Sequence, residues 1–220
     1  MKNIYCTLDT ETVGGASHPT GMYNLGGIIH DRKGNILATF SYLVANKFEE
    51  IRYDDYAKKN FPLYLEKIKS GEVTMVDTEE SAVEAVRNLL RFYGVRYIMA
   101  YNSGFDFVKT PCSALLDEFE FIDIYLMAVQ TISPLKKYAN FCRENGLQSH
   151  SKKSVATSAE SMYAFITGNA SYQEEHTAFE DSKIEMAIFL RALATHKKFT
   201  KNCHMWDAPY GDKCFPRWAV

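Results

Sequence analysis

Nowhere in the 220 residues do about 18 uncharged apolar residues follow one another, and the opening MKNIYCTLDTET has no apolar stretch of signal-peptide length. No membrane-spanning helix or export signal is expected, and the chain reads as cytoplasmic with no membrane partner. Cysteine is sparse and scattered. Cys6, Cys112, Cys142, Cys203 and Cys214 are an odd number without a CxxC pair, which fits free thiols in a reducing compartment. The grouping of His196, Cys203, His204 and Cys214 matches none of the usual zinc-ligand spacings. With 12 Gly and 6 Pro there is no low-complexity segment. Charge of one sign is lacking too: the net charge is -2. That excludes a protein that coats long duplexes through many basic contacts, while leaving room for a few local contacts to phosphate.

What is present is a composition with 46% hydrophobic and 14% aromatic residues, enough for a sizeable core. Ile4 to Thr12 alternates, with Ile4, Cys6 and Leu8 on one face and Tyr5, Thr7, Asp9 and Glu11 on the other, so it is read as a strand. The turn residues GGASHPTG lead to a second strand, MYNLGGIIHD, and the tight turn DRKGN leads to a third, ILATFSYLV. Three strands on short turns predict an antiparallel meander. SAVEAVRNLLRFYG is predicted as a helix that DTEES starts and Gly94 stops. YIMAYN and FIDIYL are read as short strands, with FVKTPCSALLDEF between them as helix broken or begun near Pro111. PLKKYANFCREN, SAESMYAFITG and SKIEMAIFLRALATH are read as helices. The expected fold is a mixed α/β sheet flanked by helices. It forms one domain over 1–220, with a polar insertion over about 46–80 and an aromatic tail over about 202–220.

The chemistry-bearing residues are acids. Asp9 and Glu11 project from one face of the first strand with α carbons about 6.6 Å apart. Two such charges 5 Å apart in a partly dry site repel by about 3 kcal/mol at an effective dielectric near 20. A bound divalent cation is the economical compensation. Asp106 follows a short apolar strand and a Ser-Gly turn, in AYNSGFDF, at the sheet edge where α/β proteins place ligands. His176 and Asp181 lie in EEHTAFED. In one helix they would stand roughly 140° apart, so they converge only if His176 is in the loop leading into the helix and Asp181 in its first turns. Taken singly, each group is more often a strand end, a helix cap or a plain surface residue.

Together the motifs occur as D-x-E on the first strand, N-x-x-F-D after a later strand, and H-x4-D before a late helix. In this order and spacing the chain resembles the DnaQ-like exonucleases of the DEDD superfamily, in the subgroup whose third motif carries histidine. The resemblance spans about residues 3 to 195, including LGGIIHD and FIDIYLMA, and the general layout looks similar to phage-encoded relatives. It implies a ribonuclease-H-like sheet and two Mg²⁺ or Mn²⁺ ions held by Asp9, Glu11, Asp106 and Asp181. It also implies that His176 is the general base in 3′-to-5′ hydrolysis of single-stranded nucleic acid ends, DNA ahead of RNA, releasing nucleoside 5′-monophosphates. By the same resemblance Thr12 touches the terminal nucleotide. Asn24 departs from the family, standing where many relatives have Glu or Gln.

Phe105 and Phe107 are candidates for base stacking, with at least one expected in the core, and Asn102 is a candidate substrate contact or turn cap. Lys136, Lys137, Arg143, Lys152 and Lys153, and then Arg191, Lys197, Lys198 and Lys201, form two basic stretches that either track phosphates or face solvent. The readings that compete with the exonuclease are a catalytically weak binding module for nucleic acid or a partner, and an RNA-trimming enzyme similar to oligoribonuclease or ribonuclease T. A polymerase or a second copy of the chain is the protein partner such relatives suggest.

Overall fold

The computed structural model describes residues 3–14, 19–148 and 154–195. The tail 202–220, the His196, Cys203, His204 and Cys214 grouping, and Lys152, Lys153, Lys197, Lys198 and Lys201 lie outside the described residues. In chain order the elements are β1 (Ile4–Val13), β2 (Gly21–Asp31), β3 (Ile36–Val44), α1 (Ala45–Glu50), a 3₁₀ turn (Ala57–Asn60), α2 (Phe61–Ser70) and β4 (Thr74–Val76). They continue with α3 (Glu79–Tyr93), β5 (Tyr97–Ala100), α4 (Gly104–Val108), a 3₁₀ turn (Pro111–Leu115), β6 (Glu120–Asp123), α5 (Ile124–Thr131), α6 (Lys136–Glu144), α7 (Ala159–Thr167) and α8 (Ala178–Leu193).

β1, β2 and β3 form the expected meander. In the turn between β2 and β3, the Asp31 carboxylate accepts from the N–H groups of Lys33 and Asn35 at 2.8 and 3.0 Å, and Gly34 adopts φ 85° without a Cβ penalty. β5 joins β1 in parallel and β6 joins β5 in parallel, while β4 runs parallel on the outer edge of β3, so the order is β4-β3-β2-β1-β5-β6. β1 and β2 are therefore central and covered on both faces. Tyr5 packs on Phe189 of α8 with ring centroids 5.2 Å apart, which puts α8 on the face that Tyr5 shares with Thr7, Asp9 and Glu11.

α3 packs against β2 and β3. It starts and stops as read: Thr78 caps its N-terminus by accepting from the Ser81 N–H, and Gly94 closes it at φ 64°. Burial of Val83, Val86 and Leu90 is worth about 1.5–3 kcal/mol each.

One reading needs correction. FIDIYL is strand only to Asp123, because the Asp123 carboxylate accepts from the Leu126 N–H at 3.1 Å and starts α5. FVKTPCSALLDEF is broken near Pro111, as expected: α4 ends at Val108, Thr110 caps a separate 3₁₀ turn through the Cys112 N–H, and Pro111 has no N–H to continue a helix. Residues 46–80 hold the expected helical stretches and also α1 and β4. Phe48, Ile51, Ala57, Tyr64 and Val73 build an apolar cluster of their own on Tyr23 and Leu43 of the sheet. Cys6, Cys112 and Cys142 are free and buried, and among the described residues no helix is long and apolar enough to cross a membrane.

Candidate metal centre

Asp9 and Glu11 stand on the α8 side of β1, and two residues of β2 opposite them decide how close α8 comes. Gly26 pairs with Asp9. A Cβ at Gly26 would lie 2.6 Å from the Ala178 carbonyl carbon and closer still to the Phe179 nitrogen, so the glycine lets the first turn of α8 rest on the sheet. Asn24 pairs with Glu11 and ties that turn down. Its Oδ1 accepts from the Ala178 N–H at 3.1 Å and from the Tyr64 hydroxyl at 2.8 Å, while its Nδ2 donates to the Tyr42 carbonyl at 2.8 Å and to Ser41 Oγ at 3.3 Å. An amide at this position both donates and accepts, which a carboxylate does not.

Asp181, in the first turn of α8, is brought beside β1. Asp9, Glu11 and Asp181 each offer a carboxylate oxygen within 4.8 Å of the others. Asp106, 2% exposed on α4, joins from the other side: its Oδ1 accepts from the Thr10 N–H at 3.0 Å and from Thr10 Oγ1 at 2.7 Å. The β1–β5 pairing ends at Thr7 and Met99, so Asp106 takes up an N–H that the sheet leaves open.

Burial first, and mutual repulsion next, holds the Asp9 and Glu11 carboxyls far above the usual carboxylate range. Burial raises Asp106 to about 7 against the opposing hydrogen bonds from Thr10. Burial, with Glu174, Glu175 and Glu180 adding to it, raises Asp181 to about 8. Asp181 Oδ1 is buried with no hydrogen-bond partner. An all-carboxylate donor set of this kind, self-repelling and incompletely hydrogen-bonded, suits a hard divalent cation such as Mg²⁺ or Mn²⁺.

His176 lies in the loop leading into α8, with φ 58° in the left-handed region. A non-glycine residue held there costs about 1–3 kcal/mol. Asn60 helps hold it by donating Nδ2 to the His176 carbonyl at 3.1 Å. Burial lowers the imidazole pKa below 6.5, and the neighbouring Lys59 ammonium lowers it further. Lys59 also acts on Glu11, opposing the rise of its carboxyl, so the 3₁₀ turn Ala57–Asn60 forms one wall of the site.

The other expected positions divide. Thr12 is on β1 past a bulge and only 5% exposed. Phe107 belongs to the core against Phe121, while Phe105 on α4 is half-buried. Asn102 is exposed at φ 63°, and its carbonyl accepts from the Phe105 N–H at 2.9 Å, which makes it a turn former. Lys136, Lys137 and Arg143 are exposed on α6, whereas the Arg191 guanidinium lies over the Phe165 ring.

Sequence reasoning missed Lys59, Asn60 and Glu185. Glu185 is 3% exposed, one helical turn beyond Asp181 and among the apolar positions Ile184 and Ile188. An acid on the apolar flank of a helix, four residues from an acid already singled out, was a readable signal.

No family model and no curated protein matches the chain. Among solved structures the chain is similar to cell-death related nuclease 4 (CRN-4), with 13% identity, a TM-score of 0.50, and 89% of this chain and 65% of that one covered. It is also similar to E. coli exonuclease I in complex with a dA16 oligonucleotide, with 14% identity, a TM-score of 0.48, and 89% and 44% covered. The chain thus spans less than two thirds of either protein. At such identity the likeness to the first is one of fold, and it agrees with the ribonuclease-H-like mixed sheet described above.

Proposed function

We propose that the chain is a metal-dependent 3′-to-5′ exonuclease that hydrolyses the 3′-terminal phosphodiester of single-stranded nucleic acid and releases nucleoside 5′-monophosphates. Single-stranded DNA ends are the substrate put forward first. The observation that carries the reading is the convergence of Asp9, Glu11 and Asp181 within 4.8 Å, with Asp106 buried alongside. The fold it shares with CRN-4, a nuclease by name, supports it.

Asp9, Glu11, Asp106 and Asp181 would hold two Mg²⁺ or Mn²⁺ ions. Two such ions, when bound, supply an activated water and offset the charge on the leaving oxygen. His176, kept neutral by its surroundings, takes the proton from the attacking water, a contribution typically of about 10² to 10⁴ in rate. Lys59 offers a cation to the phosphate between Glu11 and His176. Asn60 keeps the backbone of the base in place through the His176 carbonyl.

The test is digestion of matched 5′-labelled DNA and RNA oligonucleotides in Mg²⁺. The expected product is a ladder that shortens from the 3′ end, and Asp9→Asn or His176→Ala should slow it by about 100-fold or more. A wild-type protein that cuts neither strand in Mg²⁺ or Mn²⁺, or an Asp9→Asn variant at the wild-type rate, defeats the reading.

A further inference from the structure

The charges that act on Asp9 rank Asp106 first and Glu185 next, ahead of Asp181 and Glu11. Glu185, which no motif picks out, is thus among the buried acids that act on Asp9. It projects from the same side of α8 as Asp181, four residues on. Its carboxylate accepts a hydrogen bond from the backbone of Tyr101, just past the end of β5, on the side where Asp106 approaches β1. Its Oε2 is buried and has no hydrogen-bond partner, and the charges that press on it most are those of Asp106 and Asp181.

A buried carboxylate oxygen left unpartnered among other carboxylates is a costly arrangement unless a cation completes it. Asp9, Glu11 and Asp181 bring their oxygens together, and Asp106 and Glu185 are the further buried acids whose charges press on Asp9. Asp106 commits Oδ1 to Thr10, and the unpartnered Oε2 of Glu185 adds a free buried oxygen to those that remain.

We propose that Glu185 is a fifth ligand carboxylate of this site and holds, with Asp9 and Asp106, the second divalent cation. The inference rests on the metal-dependent reading above and adds to it a ligand that no motif supplies.

Titration calorimetry of the full chain with Mn²⁺, with no nucleic acid present, tests it. The wild type should bind two ions. Glu185→Gln, which keeps the shape and removes the charge, should keep one ion and bind the second at least about 10-fold more weakly. The same variant should melt no lower than wild type in EDTA and should gain less from Mn²⁺, whereas a merely structural role would lower its melting in both conditions. Crystals of the wild type soaked in Mn²⁺ give a readout free of any variant: an anomalous peak in contact with Glu185 supports the assignment. A pair of peaks remote from Glu185, or two ions bound by Glu185→Gln at wild-type affinity, overturns it while leaving the nuclease reading standing. A wild type that binds no Mn²⁺ overturns both.

Discussion

At the scale of single residues, position 59 shows how a surface charge tunes a buried site. The Lys59 ammonium sits near the His176 imidazole and disfavours its protonated form, after burial has done the same. Removing that ammonium raises the imidazole pKa. Lys59→Ala should therefore move the acid limb of the pH–rate profile upward and raise KM for the oligonucleotide, more visibly at low ionic strength, since Lys59 is exposed and screened by salt. An unmoved acid limb would show that the lysine and the base do not face one another. Asn24 is the buried counterpart. Asn24→Ala leaves the Tyr64 hydroxyl and the Ala178 N–H without their shared acceptor, a cost of about 1–3 kcal/mol for each group left unpaired. For a chain of this size each kcal/mol lowers the melting temperature by about 2–4 °C, which a thermal scan reads directly. Melting within 1 °C of wild type by that scale would mean the two donors find other partners.

The elements show where a pattern of residue types suffices and where it does not. α8 reaches the metal centre because Gly26 leaves room under its first turn. Gly26→Ala pushes backbone against a Cβ, so the helix must lift from β1 and carry Asp181 away from Asp9. Overpacking of this kind costs about 1–3 kcal/mol, and Mn²⁺ affinity should fall alongside stability; unchanged affinity would mean that Asp181 does not depend on this contact. The three-strand meander and α3 were readable because alternation, a tight turn at Asp31 and caps at Thr78 and Gly94 all agree locally. FIDIYL misled because its apolar residues alternate through a point where Asp123 turns strand into helix, and α5 is buried over enough of its surface to show little period. Residues 46–80 looked merely polar. Their apolar residues are spaced irregularly over short helices, so the cluster under them and the wall that Lys59 and Asn60 form appear only in three dimensions.

For the molecule as a whole, the acids make stability depend on pH and on metal. Folding raises Asp106 to about 7 and Asp181 to about 8, while the unfolded chain gives up the same protons near pH 4. The folded state therefore holds more protons between those limits, and the stability of the metal-free protein falls as pH rises through them. His30 and His176, whose imidazoles are lowered by burial, act in the opposite sense, but only up to about pH 6.5. In EDTA the melting temperature should thus be lower at about pH 8.5 than at about pH 7. Mn²⁺ should narrow the gap and release protons as it binds, measurable as a buffer-dependent binding enthalpy. Equal melting at both pH values in EDTA would argue that the carboxyls are solvated apart. The four motif acids were legible because each lies in a short, ordered signature; Glu185 carries none, and its place is set by the packing of α8 on β1.

That packing joins the first strand to the last of the described helices, with the other described strands made between them. On a ribosome, Asp9, Glu11 and Asp106 emerge long before Asp181 and Glu185, so a growing chain lacks the last two acids until translation has passed α8. Whatever chemistry needs all of these acids together therefore waits until α8 has emerged.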